Sequence, residues 1–238
     1  MYHRQPSTDT FLPGTSLWRY LDLTKLIALL STGTLYFPAA DCLGDPWEGA
    51  GSKPDQKRRE GLPPDVDQSH YVTFRRELVH GTYISCWHEN NAESAAMWKL
   101  YLKSDEGVAV KTTYGRLEEC LKVDCEFLIF GGKVAYLNYE RDFVADGSPF
   151  TPFFRKRQSF AHEKEFRAVI SPFIQAGKYR TPFPIGLTLP VNYHLLIEDV
   201  YVAPDTSDWV KNVVQSVVTK FGLDRAVRRS SLSDDPIY

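Results

Sequence analysis

Along residues 159–170, SFAHEKEFRAVI, apolar and polar side chains alternate: Phe166, Ala168 and Ile170 take one side of an extended chain, and Glu163, Glu165 and Arg167 the other. The spacing predicts a half-buried strand whose apolar face enters a core and whose opposite face carries two carboxylates and a guanidinium. At helical spacing the same residues read differently, with Glu163 and Arg167 as an i, i+4 surface ion pair.

Elsewhere the pattern predicts an alternation of element types. Residues 17–20 read as a short strand, and Asp22 or Thr24 caps a helix whose Leu23, Leu26, Ile27 and Leu30 share one face before Gly33 ends it. An extended segment over 35–37 leads into the turn-rich DCLGDPWEG, where Asp45-Pro46 is a turn former and Asp45 and Glu48 could also add polar contacts at a site. Residues 49–68 are polar, hold three prolines and lack periodicity, which predicts a flexible loop or insertion. Strands are expected at 83–87 and 107–111, a helix at 93–102, and a hairpin of 126–130 and 133–137 joined by Gly131-Gly132. A strand near 195–202 precedes an amphipathic helix with Val213, Val217 and Phe221 turned to the core, and 226–230 can add an edge strand. With no internal repeat and no linker, the reading is one α+β domain over 17–232, with mixed or antiparallel sheets flanked by helices. Residues 1–16 and 233–238 are read as tails.

Composition narrows the function classes modestly. The 238 residues are 43% hydrophobic and 13% aromatic, enough for a sizeable core. A formal charge of −2 predicts no general attraction to nucleic acid or an anionic membrane, so such contact needs a local patch, for which Arg155-Lys156-Arg157 is the compact candidate. No apolar run of about 18 residues and no cleavable leader stand out, which predicts a cytoplasmic protein without a membrane partner. The four cysteines, Cys42, Cys86, Cys120 and Cys125, form no CxxC pair and are expected as reduced thiols. Cys86 and His88 flank Trp87, yet no second ligand pair stands at zinc spacing, so no metal site is expected.

Two carboxylates at fixed separation suit work on an electron-poor carbon: one stabilises positive charge while the other takes a proton or orients a nucleophile. The ordered series LWRYLD, LYF, DPWEG, ISCW, MWKLY, GVAV, KRQSFAHEKEFRAVI and VRRSSL, spanning about 17–232, resembles a widespread bacterial family, domain of unknown function 2971. A more distant layout is similar to ADP-ribosyltransferases: an arginine on a first strand (Arg19), a helix ending in glycine, a serine on a middle strand (Ser85), and Glu165 preceded two residues earlier by Glu163. The chain departs from that layout after Ser85, where Cys86 and Trp87 replace a serine-threonine-serine series.

What this second resemblance implies is an ADP-ribosyltransferase-like fold that uses NAD as co-substrate and modifies a macromolecular acceptor, protein or nucleic acid, as a toxin or defence effector with an inhibitor protein as a candidate partner. Glu165 would stabilise the ribosyl cation and Glu163 orient or deprotonate the acceptor. Arg19 would bind the diphosphate or the nicotinamide ribose through paired hydrogen bonds, and Ser85 the ribose. Tyr101, with Trp87 or Trp98, would stack on a base, and Arg167 would keep the carboxylates ionised. Two other classes stand beside this one: a non-enzymatic module that binds nucleotide or nucleic acid through the same cleft or the Arg155–Arg157 patch, and a metal-assisted nuclease built on Asp and Glu.

Overall fold

The computed structural model describes residues 1–4, 11–63, 68–102, 106–144, 148–176 and 182–238. Its chain divides into two compact units, each woven from three stretches: Met1–Thr10, Tyr36–Cys86 and Asp124–Leu187 form the first, and Phe11–Leu35, Trp87–Val123 and Thr188–Tyr238 the second. Both are α+β, with mixed sheets flanked by helices, as the element pattern predicts.

In the first unit the Glu165–Ile170 strand lies between Ile129–Lys133, which it pairs antiparallel, and the Tyr83–Glu89 strand, whose residues 83–86 fall in this unit. All six residues of Glu165–Ile170 are buried, which corrects the expectation of one open face. Phe166 and Ala168 are buried on one side, and Glu165 and Arg167 are buried on the other together with Val169, which joins the apolar core. The strand is also shorter than its alternation implied. Glu163 ends a 3₁₀ turn, Gln158–Glu163, and Lys164 adopts the left-handed conformation with φ of 41°, so the strand begins only at Glu165.

Two further expectations change here. The segment read as a hairpin holds two strands that pair elsewhere: Ile129–Lys133, with Gly131 and Gly132 inside it, and Ala135–Leu137, which pairs with Arg155–Arg157, while Tyr2–Arg4, read as tail, pairs in parallel with the first. A Cβ at Gly131 would stand 2.0 Å from the Tyr2 hydroxyl oxygen, so the glycine admits the tyrosine ring instead of making a turn. Residues 5–10 of that tail lie outside the described residues.

The polar insertion holds a helix, Lys53–Glu60. Ser52 and Asp55 form a reciprocal capping box, and the Asp55 carboxylate also accepts the Val144 N–H at 3.0 Å, which ties the segment to the unit. Residues 64–67 of the insertion lie outside the described residues, and a second helix, Gln68–His80, follows them. Its Leu78 joins Ala40, Ile84, Phe150, Phe153, Phe154 and Val169 in the apolar core of this unit. Each such large side chain contributes roughly 1.5–3 kcal/mol on burial.

The second unit orders its strands as Ser16–Asp22, Gly107–Thr113, Asp199–Val202 and Val227–Arg229, the last a parallel edge strand where an edge was expected. Asp22 rather than Thr24 caps the Leu23–Thr32 helix, accepting the Lys25 N–H, and Gly33 closes it in the left-handed conformation. The Asp208–Lys220 helix buries Val210, Val214 and Val218, one position round from the expected stripe, because Trp209 turns to solvent. Trp18, Tyr20, Met97, Trp98, Ala109 and Ala203 form the core of this unit. No described helix is long and apolar enough to cross a membrane.

Candidate functional site

The site belongs to the first unit and grows from the DPWEG turn. Asp45 accepts the Trp47 N–H at 3.1 Å, the local bond that lets Asp-Pro reverse the chain, and the Glu48 N–H closes on the Asp45 carbonyl at 3.0 Å. Gly49 follows at φ of 66°, where a Cβ would meet the Phe153 ring at 2.5 Å; only glycine fits both the backbone and the ring. That tight turn aims the Glu48 side chain inward.

There it meets Arg167. The guanidinium is fully buried and donates in parallel to Glu48, Nη1 to Oε2 at 2.7 Å and Nη2 to Oε1 at 2.8 Å. Its Nη1 also donates to the Phe153 carbonyl at 2.8 Å, and its Nε to Glu165 Oε2 at 2.5 Å. Lys156, on the short Arg155–Arg157 strand, supplies the second cation: its Nζ donates to Glu163 Oε2 and to Glu165 Oε1 at 3.4 Å, and stands 3.7 Å from Glu48 Oε1. The Phe160 ring covers the ammonium at 4.6 Å. Glu163 and Glu165 thus converge on one ammonium, which brings their two carboxyl groups into the same buried neighbourhood. The left-handed Lys164 makes this meeting possible, since it turns the chain between the two glutamates.

Electrostatics favour one shared proton in this cluster. Three buried carboxylates against two cations leave one surplus negative charge, costly away from water. Burial, the hydrogen bond with Glu165 and the Glu165 charge push Glu163 up to about 7, with Lys156 opposing them. Burial acts on Glu165 in the same direction, but the Arg167 and Lys156 charges and the bonds from Glu163 and Arg167 overcome it and hold Glu165 at about 2. Burial disfavours the charged forms of Lys156 and Arg167, yet the carboxylates raise both above their ordinary values. The pair therefore holds one fixed charge and one exchangeable proton near neutral pH. The same charge reaches neighbouring groups: burial and Glu165 push up both the Tyr136 hydroxyl, which accepts the Glu165 N–H at 2.8 Å, and the Cys86 thiol.

The structure brings Glu163, Glu165 and Arg167 together. Ser85, in the same unit, is fully buried in the Tyr83–Glu89 strand. Arg19 and Tyr101 belong to the second unit, Arg19 with its guanidinium 5.5 Å over the Trp87 ring and Tyr101 45% exposed at the end of the Ala95–Tyr101 helix. Trp98 is core, donating its indole N–H to Glu93 at 2.9 Å.

Of the basic patch expected at Arg155–Arg157, the two arginines are half-buried and the lysine turns inward. Lys156 is buried among carboxylates, and Arg157 bonds Asp45 at 2.7 Å and stacks near Trp47 and Phe160. Glu48 thus makes the polar contact that the DPWEG motif allowed, and Lys156 is the member that the sequence pattern missed. Lys156 between two arginines carried the signal of an open face. Among the described residues no group of three or more His, Cys, Asp or Glu is arranged to hold a metal ion.

No family model matches the chain, and no curated protein does. Among solved structures it is similar to DarT of Thermus sp. 2.9 in three complexes, each at a TM-score of 0.42. With carba-NAD+ the identity is 12%, covering 93% of this chain and 98% of that one; with ADP-ribosylated ssDNA it is 14%, covering 95% and 98%. With NAD+ it is 10%, covering 92% and 97%.

Proposed function

We propose that this chain is an NAD-dependent transferase that moves ADP-ribose to a macromolecule, with Glu163 and Glu165 as its working carboxylates. The observation that carries the reading is the meeting of the two carboxylates on one ammonium, Lys156 Nζ donating to Glu163 Oε2 and to Glu165 Oε1 at 3.4 Å while Arg167 Nε holds the other Glu165 oxygen, an arrangement that pushes the two proton affinities apart. Two carboxyl groups pushed apart in this way can run charge stabilisation and proton transfer at one pH.

In the reaction, the bond between the nicotinamide nitrogen and the ribose C1′ breaks, and its electron pair leaves with neutral nicotinamide. The ribose passes through an oxocarbenium-like state that the permanently ionised Glu165 stabilises through space. An acceptor oxygen or nitrogen then bonds to C1′, and its proton passes to Glu163 in its ionised form. Glu163 suits contact with the acceptor better than Glu165 does, its side chain being 10% exposed against 4%. Arg167 and Lys156 act as positioning residues. The acceptor is a protein or a nucleic acid, and a toxin or defence role fits such chemistry.

The test is transfer of label from NAD, tagged on its adenylate half, to the macromolecules of a bacterial lysate. The unaltered chain should transfer label and Glu165→Gln should not, with protease and nuclease digestion identifying the acceptor. If the unaltered chain neither transfers label, releases nicotinamide nor binds NAD, the reading is wrong and a non-enzymatic binding module replaces it.

A further inference from the structure

Beside the carboxylate cluster, the first unit carries a pocket of about 320 Å³ between the turn that follows Asp45 and the Gln68–His80 helix. Its size sits at the lower end of small-molecule sites, too narrow for an element of folded protein. Its lining includes the small-residue run Gly49-Ala50-Gly51 and Glu48. Arg59, Arg75, Arg76 and Tyr71 line it as well. Three guanidinium groups around one small cavity are unexpected in a chain whose net charge is −2.

The arrangement is built rather than incidental. Arg75 is anchored by donation from Nη2 to the Gly49 carbonyl. Arg59 lies over the Tyr71 ring at 5.0 Å, and its Nη1 would stand 3.4 Å from a Cβ at Gly51, so that glycine leaves the guanidinium room. Burial lowers the proton affinity of Arg75 and the Arg59 charge adds to this, against opposing contributions from Tyr71 and Asp55. The acid in the lining does not cancel the field: Glu48 already accepts two hydrogen bonds from Arg167. His80, which also lines the pocket, is engaged with Asp41 at 2.7 Å.

From this geometry we infer that the pocket binds the diphosphate of a nucleotide, with Arg59, Arg75 and Arg76 on its oxygens and the Gly49–Gly51 backbone permitting close approach. A diphosphate spreads its charge over two phosphorus centres, which suits several separated guanidinium groups better than a single phosphate does. Glu48 is shared by the pocket lining and the carboxylate cluster, so the two adjoin. Naming the ligand as a dinucleotide rests on the transferase reading above; the anion site itself stands on the arginines.

The experiment is calorimetric titration of the full chain with inorganic pyrophosphate, ADP-ribose and a single-stranded oligonucleotide, repeated for Arg76→Gln, Arg59→Gln and, as a cation outside the pocket, Lys220→Gln. Arg76 and Lys220 are exposed and Arg59 half-buried, so all three variants should fold as the unaltered chain does. Pyrophosphate and ADP-ribose should bind, each arginine substitution should weaken both by about tenfold or more, and Lys220→Gln should leave both unchanged. The inference is overturned if neither small anion binds, if their binding ignores both arginines, or if only the oligonucleotide binds. Arginine-dependent binding without label transfer would sink the transferase reading and keep this site; label transfer with binding indifferent to the arginines would do the reverse.

Discussion

Arg167 holds Glu48 through two parallel hydrogen bonds of 2.7 and 2.8 Å, joining residues 119 positions apart in a fully buried contact. The pair fastens the DPWEG turn to the central strand, so one interaction places both the pocket lining and the carboxylate beside it.

Arg167→Met should therefore cost more than a typical core change. It leaves Glu48 and Glu165 buried without their main counter-charge, a loss of about 3–5 kcal/mol. Urea denaturation at pH 7 measures it; a loss below about 1 kcal/mol would mean that water reaches the cluster and screens it.

Stability should vary with pH in a way that Glu163 explains. Its folded proton affinity is raised from the ordinary 4.5 to about 7, so the stabilising proton is fully bound below about pH 4.5 and lost as pH rises through 7. Glu165 works in the opposite direction: lowered to about 2, it stabilises above 4.5 and its contribution disappears as pH falls towards 2. Urea midpoints between pH 5 and 8 should fall for the unaltered chain, with a shallower fall for Glu163→Gln. Parallel slopes in the two proteins would contradict the assignment.

Glu165→Gln should relocate the charge. With that carboxylate gone, Glu163 no longer faces a like charge, and its ionised form balances the two cations together with Glu48. The Glu163 side-chain carbon, followed by NMR, should titrate well below 7 in the variant; a midpoint still near 7 would show that burial alone sets it.

How much of this the chain displayed in advance differs by residue. Alternation located Glu165, Phe166, Arg167, Ala168 and Ile170 on one strand, because a regular pleat leaves a period of two. It misplaced Glu163, since a left-handed Lys164 has no sequence mark of the kind that glycine or asparagine gives. The polar helix Lys53–Glu60 lacks an apolar stripe, and its legible signal was the Ser52-x-x-Asp55 cap. Lys156 was beyond local pattern altogether, and Glu48 was legible only as a candidate polar contact in DPWEG: what defines them is a neighbourhood assembled from three distant stretches, and charge sequences read along the chain look like solvated faces until the fold buries them. The Arg59, Arg75 and Arg76 cluster was hidden for the same reason, its members coming from two helices.

The most direct measurement is the rate of nicotinamide release and label transfer from NAD between pH 6 and 8 for the unaltered chain and Glu163→Gln. The account predicts a rate that rises with an apparent midpoint near 7, set by ionisation of Glu163, and a loss of roughly 100-fold or more in the variant with that midpoint gone. A variant that keeps the parent rate and the parent pH profile would contradict it.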